Sequence, residues 1–219
     1  MSDTLDKLIS STPCLWKGGR SRQQASAALP TGYAQLDQVL PAGGWPLGVV
    51  IELLPESIGI GELRLLLPAI RVLTQSQRQV LMINTPYIPY APALLHAGLD
   101  LNYLLMLMPR NWRDALWSAE KALLNPACGM VLVWSDNFLS NKTKLDDNKA
   151  TRRLQVAAQV NQAILVLYRL SAGYCQNRQS PWAAVRLGLA DNDGCLMIDV
   201  LKIRGLHKRF RVELDLNQR

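Results

Sequence analysis

The sequence predicts an α/β fold with a mostly parallel central sheet and antiparallel strands at its C-terminal end. Three observations predict it. Between Gly48 and Tyr168, apolar runs of strand length alternate with stretches whose apolar residues recur at helical spacing, the pattern of repeated βαβ units. The last three apolar runs follow one another with turn residues and no helix between them, which is the pattern of a meander. A length of 219 residues with 49% apolar composition supports one sizeable core and not two generous domains.

Residues 1–30 read as an arm: a short helix over Thr4–Ser10, then polar, irregular sequence carrying Lys17, Arg20 and Arg22. Residues 31–219 read as the core domain. Its first strand is Gly48–Leu54, and a helix follows over Gly61–Gln77. Pro68 lies inside that helix and lacks an amide hydrogen, so it must kink or divide it. Gln79–Asn84 form a second strand, Thr85–Pro92 a proline-rich loop, Ala91–Ala97 a short helix and Leu104–Met108 a third strand. Trp112, Ala115, Leu116, Ala119 and Leu123 share one face of a helix that stops near Pro126. A strand at Met130–Trp134, a loop over 135–150, a helix over Arg152–Asn161 and a strand at Ala163–Tyr168 complete the alternating part. After the polar loop Ser171–Pro181, the segment 182–219 reads as a β extension. Its runs Ala183–Leu189, Gly194–Ile203 and Phe210–Leu216, with a turn at Asp191–Gly194, are expected to add antiparallel strands to the sheet.

Charge and composition exclude several classes. No apolar run reaches the roughly 20 residues that cross a bilayer. The acidic start of the chain lacks the apolar stretch of a secretory signal, so a cytoplasmic location is expected. Cys14, Cys128, Cys175 and Cys195 are scattered, without a CxxC pair or a histidine at ligand spacing, and read as reduced thiols rather than metal ligands. A net charge of +7 suits a nucleic acid or an acidic protein surface as partner, and equally a merely basic soluble protein.

A strand running into a glycine-bearing loop is where GxxxxGK[ST] would hold phosphates. With Gly59 as the second glycine, Leu54 stands at the first, Ile60 replaces the lysine and Gly61 the magnesium-ligating hydroxyl. Glu62 follows directly. Two like unit charges about 4 Å apart at an effective dielectric of about 20 repel by roughly 4 kcal/mol, so a carboxylate there opposes a triphosphate. No cofactor, metal, catalytic residue or small-molecule substrate is therefore expected.

The residues around the loop carry a resemblance. Thr31, Gly32, Leu36, Asp37, Leu40, Gly43, Gly44, Pro46, Gly48, Glu52, Pro55, Glu56, Ser57 and Gly59 resemble the entry into the ATPase core of RecA-family recombinases, TG..LD..LG.GG.P.G...E..GPE..GKT. The resemblance places Pro86 where recombinases carry the water-activating glutamate and Trp134 where a strand aspartate assists magnesium. Within that superfamily the segments GGWPLG, ELRLLLPA, INTPYIPYAPAL, ALWSAEKAL, RRLQVAA and SPWAAVRL resemble the ImuA family of damage-induced mutagenesis. That resemblance implies a non-catalytic adaptor of translesion synthesis, nucleoid-associated when engaged. Its implied partners are an ImuB-like protein, RecA and an error-prone DnaE-type polymerase, with DNA as a further contact. Two alternatives stay open: a SulA-like division inhibitor binding FtsZ, and a RecA-like ATPase using Arg64 or Arg71 in place of the lysine.

Candidate contact residues are basic. Lys202, Arg204, Lys208, Arg209 and Arg211 cluster around His207 in the C-terminal runs; they could neutralise phosphates or simply keep a strand edge solvated. Arg152 and Arg153 begin a helix at a place the resemblance marks. Loops 135–150 and 169–181 carry Lys142, Lys144, Lys149, Arg169 and Arg178 where recombinases hold DNA, although ordinary surface loops are equally polar. The SxxK at Ser118–Lys121 and the SDN at Ser135–Asn137 imitate penicillin-recognising enzymes, but they stand too close together and no KTG follows.

Overall fold

A computed structural model describes residues 27–135, 147–170, 181–204 and 210–216. Strand β1 (Ala28–Leu29) pairs antiparallel with β2 (Trp45–Pro46) around the short helix α1 (Ala34–Asp37) and a 3-10 turn at Pro41–Gly43. The main sheet begins with β3 (Val50–Pro55), followed by a 3-10 turn at Arg64–Leu66, α2 (Leu67–Gln75) and β4 (Gln79–Ile83). Then come α3 (Ala91–His96), β5 (Leu104–Leu107), α4 (Trp112–Leu123), β6 (Cys128–Trp134), α5 (Asp147–Val160) and β7 (Ile164–Tyr168). The chain closes with β8 (Val185–Asn192), β9 (Cys195–Ile203) and β10 (Phe210–Leu214).

The eight-stranded sheet has the order β10-β9-β8-β3-β7-β6-β4-β5. Every pair from β8 to β5 is parallel, and only β8-β9 and β9-β10 are antiparallel. Alternation along each strand divides the core between two faces. On β6, Met130, Leu132 and Trp134 face a layer with Leu65, Leu66 and Ile70, whereas Val131 and Val133 face α4 and α5. Strand β3 splits likewise, with Ile51 and Leu53 on the first face and Val50 on the second. Helix α4 starts where the Asn111 side chain accepts the Asp114 amide hydrogen, and it buries Trp112, Ala115, Ala119 and Leu123 as its spacing requires. Among the described residues, no helix is long and apolar enough to cross a membrane.

Several boundaries differ from the sequence reading. The arm does not extend to residue 30, because Ala28 and Leu29 already pair with Pro46 and Trp45. Pro68 divides its helix: Arg64–Leu66 form a 3-10 turn and α2 starts at Leu67, with Pro68 in the first turn, where its missing amide hydrogen has no bond to break. Helix α5 begins at Asp147, five residues before the expected Arg152. Strand β8 joins the sheet parallel to β3, so the antiparallel extension starts one strand later than expected. Thr4–Ser10, His207, Lys208, Arg209, Lys142, Lys144 and Arg178 lie outside the described residues.

Candidate functional site

The motif residues that survive have structural work. The Thr31 amide donates to Asp37 Oδ1 at 2.9 Å, and the Tyr33 amide donates to the Thr31 hydroxyl at 3.0 Å, fixing the turn into α1. Gly32 has φ +88°, and a Cβ there would lie 2.5 Å from Pro68. Only glycine brings that turn against the first turn of α2.

The loop that should bind phosphate is closed by its own carboxylate. The Gly59 amide donates to both oxygens of Glu62, at 3.2 and 3.1 Å, and Glu62 is buried. An amide that would face an anionic ligand thus already has an anion. Ile60, in place of the lysine, packs half-buried against the core with Ile58 and Leu216. The first α-helical residue after the loop is Leu67, so no α-helix N-terminus opens directly at Gly61. Gly61 has φ +100°, and a Cβ there would lie 2.5 Å from Leu216 Cδ1. Gly61→Ala should therefore lower stability by about 1–3 kcal/mol, read as a drop in thermal midpoint; no drop would show that Leu216 gives way and the turn relaxes.

Below the loop, aromatic rings fill the strand ends. Trp134 and Tyr168 stack with centroids 4.4 Å apart and planes 10° from parallel, both buried. The Tyr168 hydroxyl donates to the Glu62 carbonyl at 3.2 Å. Burial, and then the nearby Glu62 charge, raises the Tyr168 pKa well above its usual value, so this hydroxyl keeps its proton. A magnesium triphosphate does not fit these residues. The amide is taken, the lysine and hydroxyl positions are apolar, and an indole lies where the aspartate would. Arg64, one alternative to the lysine, donates to the Leu216 carbonyl at 2.9 Å; Arg71, the other, lies against Gly98.

A second feature lies on the opposite face of β3. Glu52, buried in the sheet, receives Arg186 Nε at 2.7 Å and Arg169 Nη2 at 3.6 Å. Lys202 is the register partner of Arg186, and its ammonium donates to the Pro181 carbonyl at 3.2 Å. Arg204 donates to the Trp182 carbonyl at 3.0 Å, and the Arg152 guanidinium lies 5.2 Å from the centre of the Trp182 ring. Burial, then Arg204 and Arg186, pulls the Lys202 pKa down against the opposing pull of Glu52.

Of the sequence candidates, Arg152, Lys202 and Arg204 come together here around residues 181–182. Arg153 points elsewhere, to an ion pair with Glu120, and Arg211 makes a two-pronged contact with Asp199 at 2.6 and 3.1 Å. Lys208 and Arg209 are outside the described residues. Arg186 was missed; a lone arginine within the apolar run Ala183–Leu189 was the available signal. Cys128 is buried, and desolvation lifts its thiol to about 11, which makes it an inert core residue.

The parallel sheet, its antiparallel edge and the surviving turn residues define a RecA-like α/β protein. No family model matches the chain. It is similar to Protein RecA of Ruminococcus albus, 26% identical over 155 residues, or 68% of this chain and 38% of that protein. It is likewise similar to Protein RecA of Wigglesworthia glossinidia brevipalpis, 27% identical over 146 residues, 65% of this chain and 43% of the other. Protein RecA of Fusobacterium nucleatum subsp. nucleatum is 28% identical over 153 residues, 67% of this chain and 38% of the other. The chain spans about two-fifths of the length of these curated relatives.

Proposed function

We propose that the chain is a non-catalytic RecA-like adaptor of damage-induced translesion DNA synthesis, related to the ImuA family. Its partners are then an ImuB-like protein, RecA and an error-prone DnaE-type polymerase, with DNA as a further contact. The observation that carries the non-catalytic part is the Glu62 carboxylate on the Gly59 amide. An adaptor needs the scaffold and not the chemistry, which agrees with turn residues kept at Thr31, Gly32 and Asp37 while Ile60, Gly61 and Trp134 replace polar groups. The assignment to translesion synthesis rests on the sequence resemblance, and the cluster around Trp182 offers such a partner a cationic surface.

Three experiments test this. Affinity capture of the tagged chain from DNA-damaged cells should retain an ImuB-like protein, RecA or the polymerase at moderate salt; retention of FtsZ instead would make it a division inhibitor. In vitro, ATP with magnesium should leave the melting temperature unchanged, because a ligand stabilises only as far as it binds the folded state. Ile60→Lys should still show no ATP hydrolysis, since the hydroxyl, glutamate and aspartate positions stay unfilled. Turnover by that variant would show that the loop can open and that Glu62 is displaced.

A further inference from the structure

Helices α4 and α5 lie side by side on the second core face and leave a groove on their outer side. Two adjoining depressions of about 530 and 510 Å³ form it, and they share Glu120, Lys149 and Arg153. Its apolar residues are unusually open: Trp117 is 58% exposed, Val156 56% and Leu124 43%. Trp117 and Glu120 on α4 and Leu124 at its C-terminal cap follow one another at intervals of three and four residues, and Lys149, Arg153 and Val156 on α5 do so at intervals of four and three. Each helix therefore contributes a row to the groove. A helix face that meets only water has no need of tryptophan, leucine and valine in one patch.

The rim is basic. Arg113, Lys149, Arg152 and Arg153 line the groove, and Lys121 lies 5.9 Å from the centre of the Trp117 ring. Among the described residues, the carboxylate lining it is Glu120, bridged to Arg153. A nucleic-acid backbone would gain little from the apolar floor, whereas an acidic amphipathic helix complements both floor and rim. Helix α4 has 12 residues and α5 has 14, so at about 1.5 Å per residue the groove suits a segment of three to four turns.

We infer that the α4–α5 groove docks an acidic amphipathic helix of a partner protein. Its apolar stripe sits on Trp117, Leu124 and Val156, and its carboxylates reach Arg113, Lys149 and Arg153, competing with Glu120. This deepens the adaptor reading and rests on it for the existence of a protein partner. The surface is separate from the cluster around Trp182, apart from Arg152, which belongs to both.

The test uses the purified full chain and a fluorescein-labelled helical peptide of about 14 residues, with leucines at three- and four-residue spacing and glutamates elsewhere. Anisotropy should show saturable micromolar binding that weakens as salt rises, and the same peptide with lysine for glutamate should not bind. Val156→Glu and Trp117→Ala should each weaken binding about tenfold or more while the melting temperature holds. If Trp117→Ala is poorly folded, Val156→Glu still decides, because Val156 is largely solvent-exposed. Equal binding of both peptides, undiminished binding by Val156→Glu, or binding of a single-stranded oligothymidine with none of the acidic peptide would overturn the inference. Those results leave the cellular capture result untouched, and capture of FtsZ would sink the adaptor reading without altering peptide affinity.

Discussion

Glu52→Ala will destabilise the protein by about 3 kcal/mol or more, seen as a lower urea midpoint at unchanged slope. Glu52 is 1% exposed and stands between Arg186 and Arg169, whose side chains keep only 11% and 19% of their exposure. Removing the carboxylate takes away the counter-charge that Arg186 and Arg169 share at this point of the sheet, beside the Lys202 ammonium. The asymmetry matters: an intact buried pair contributes little net stability, yet a broken one leaves the full desolvation penalty. The partial openness of Arg169 and Arg186 lets water relieve some of that penalty, which sets the expectation at the low end of the usual 3–5 kcal/mol. Glu52→Gln keeps the shape and should lose nearly as much, because the charge and not the volume is what is removed. A loss below about 1 kcal/mol for both, the size of an exposed pair, would mean that water already solvates the guanidinium groups and that no buried cluster exists.

How much of this was legible in the sequence differs between the fold and the site. The alternation from Gly48 to Tyr168 gave the strands within a residue or two, because burial on both faces leaves continuous apolar runs such as Val131–Trp134. Strand direction at the C-terminal end was not legible. Ala183–Leu189 has the same composition whether it pairs parallel with β3, as it does, or antiparallel with it. The Asp147 helix start was hidden because Asp147–Lys149 resemble loop sequence, and propensity yields to the packing of Leu154, Ala157 and Ala158 on the sheet. The departures from the motif at Leu54, Ile60 and Gly61 were readable position by position. That Glu62 turns back onto Gly59, or that Trp134 stacks on Tyr168 from a neighbouring strand, was not, because it is tertiary information. Arg152, Lys202 and Arg204 were singled out by charge alone, and nothing in their spacing said that Trp182 would gather them.

Trp134→Asp, which restores the residue a RecA-like magnesium site would need, should cost more than any other single change discussed above, about 4 kcal/mol or more. Trp134 is the register partner of Tyr168 and lies fully within the first core face. The substitution removes a large buried side chain, with the cavity penalty this brings. It also removes a stacked pair worth about 0.5–1.5 kcal/mol and places a carboxylate among apolar neighbours. Trp134→Phe separates these effects. The indole N–H has no hydrogen-bond partner among the described residues, so its removal deletes an unsatisfied donor, a gain of about 1 kcal/mol or more that offsets part of the lost area. Phenylalanine should therefore fold with a small loss and aspartate with a severe one, measured by thermal melting with and without magnesium and ATP. Trp134 and Tyr168 thus pack the strand ends below the loop, with Ile60 and Leu216 half-buried against the same core, and it is this packing that Trp134→Asp disrupts. A Trp134→Asp variant that melts near the wild-type temperature, or one that nucleotide stabilises, would show instead that the strand ends can still open into a site.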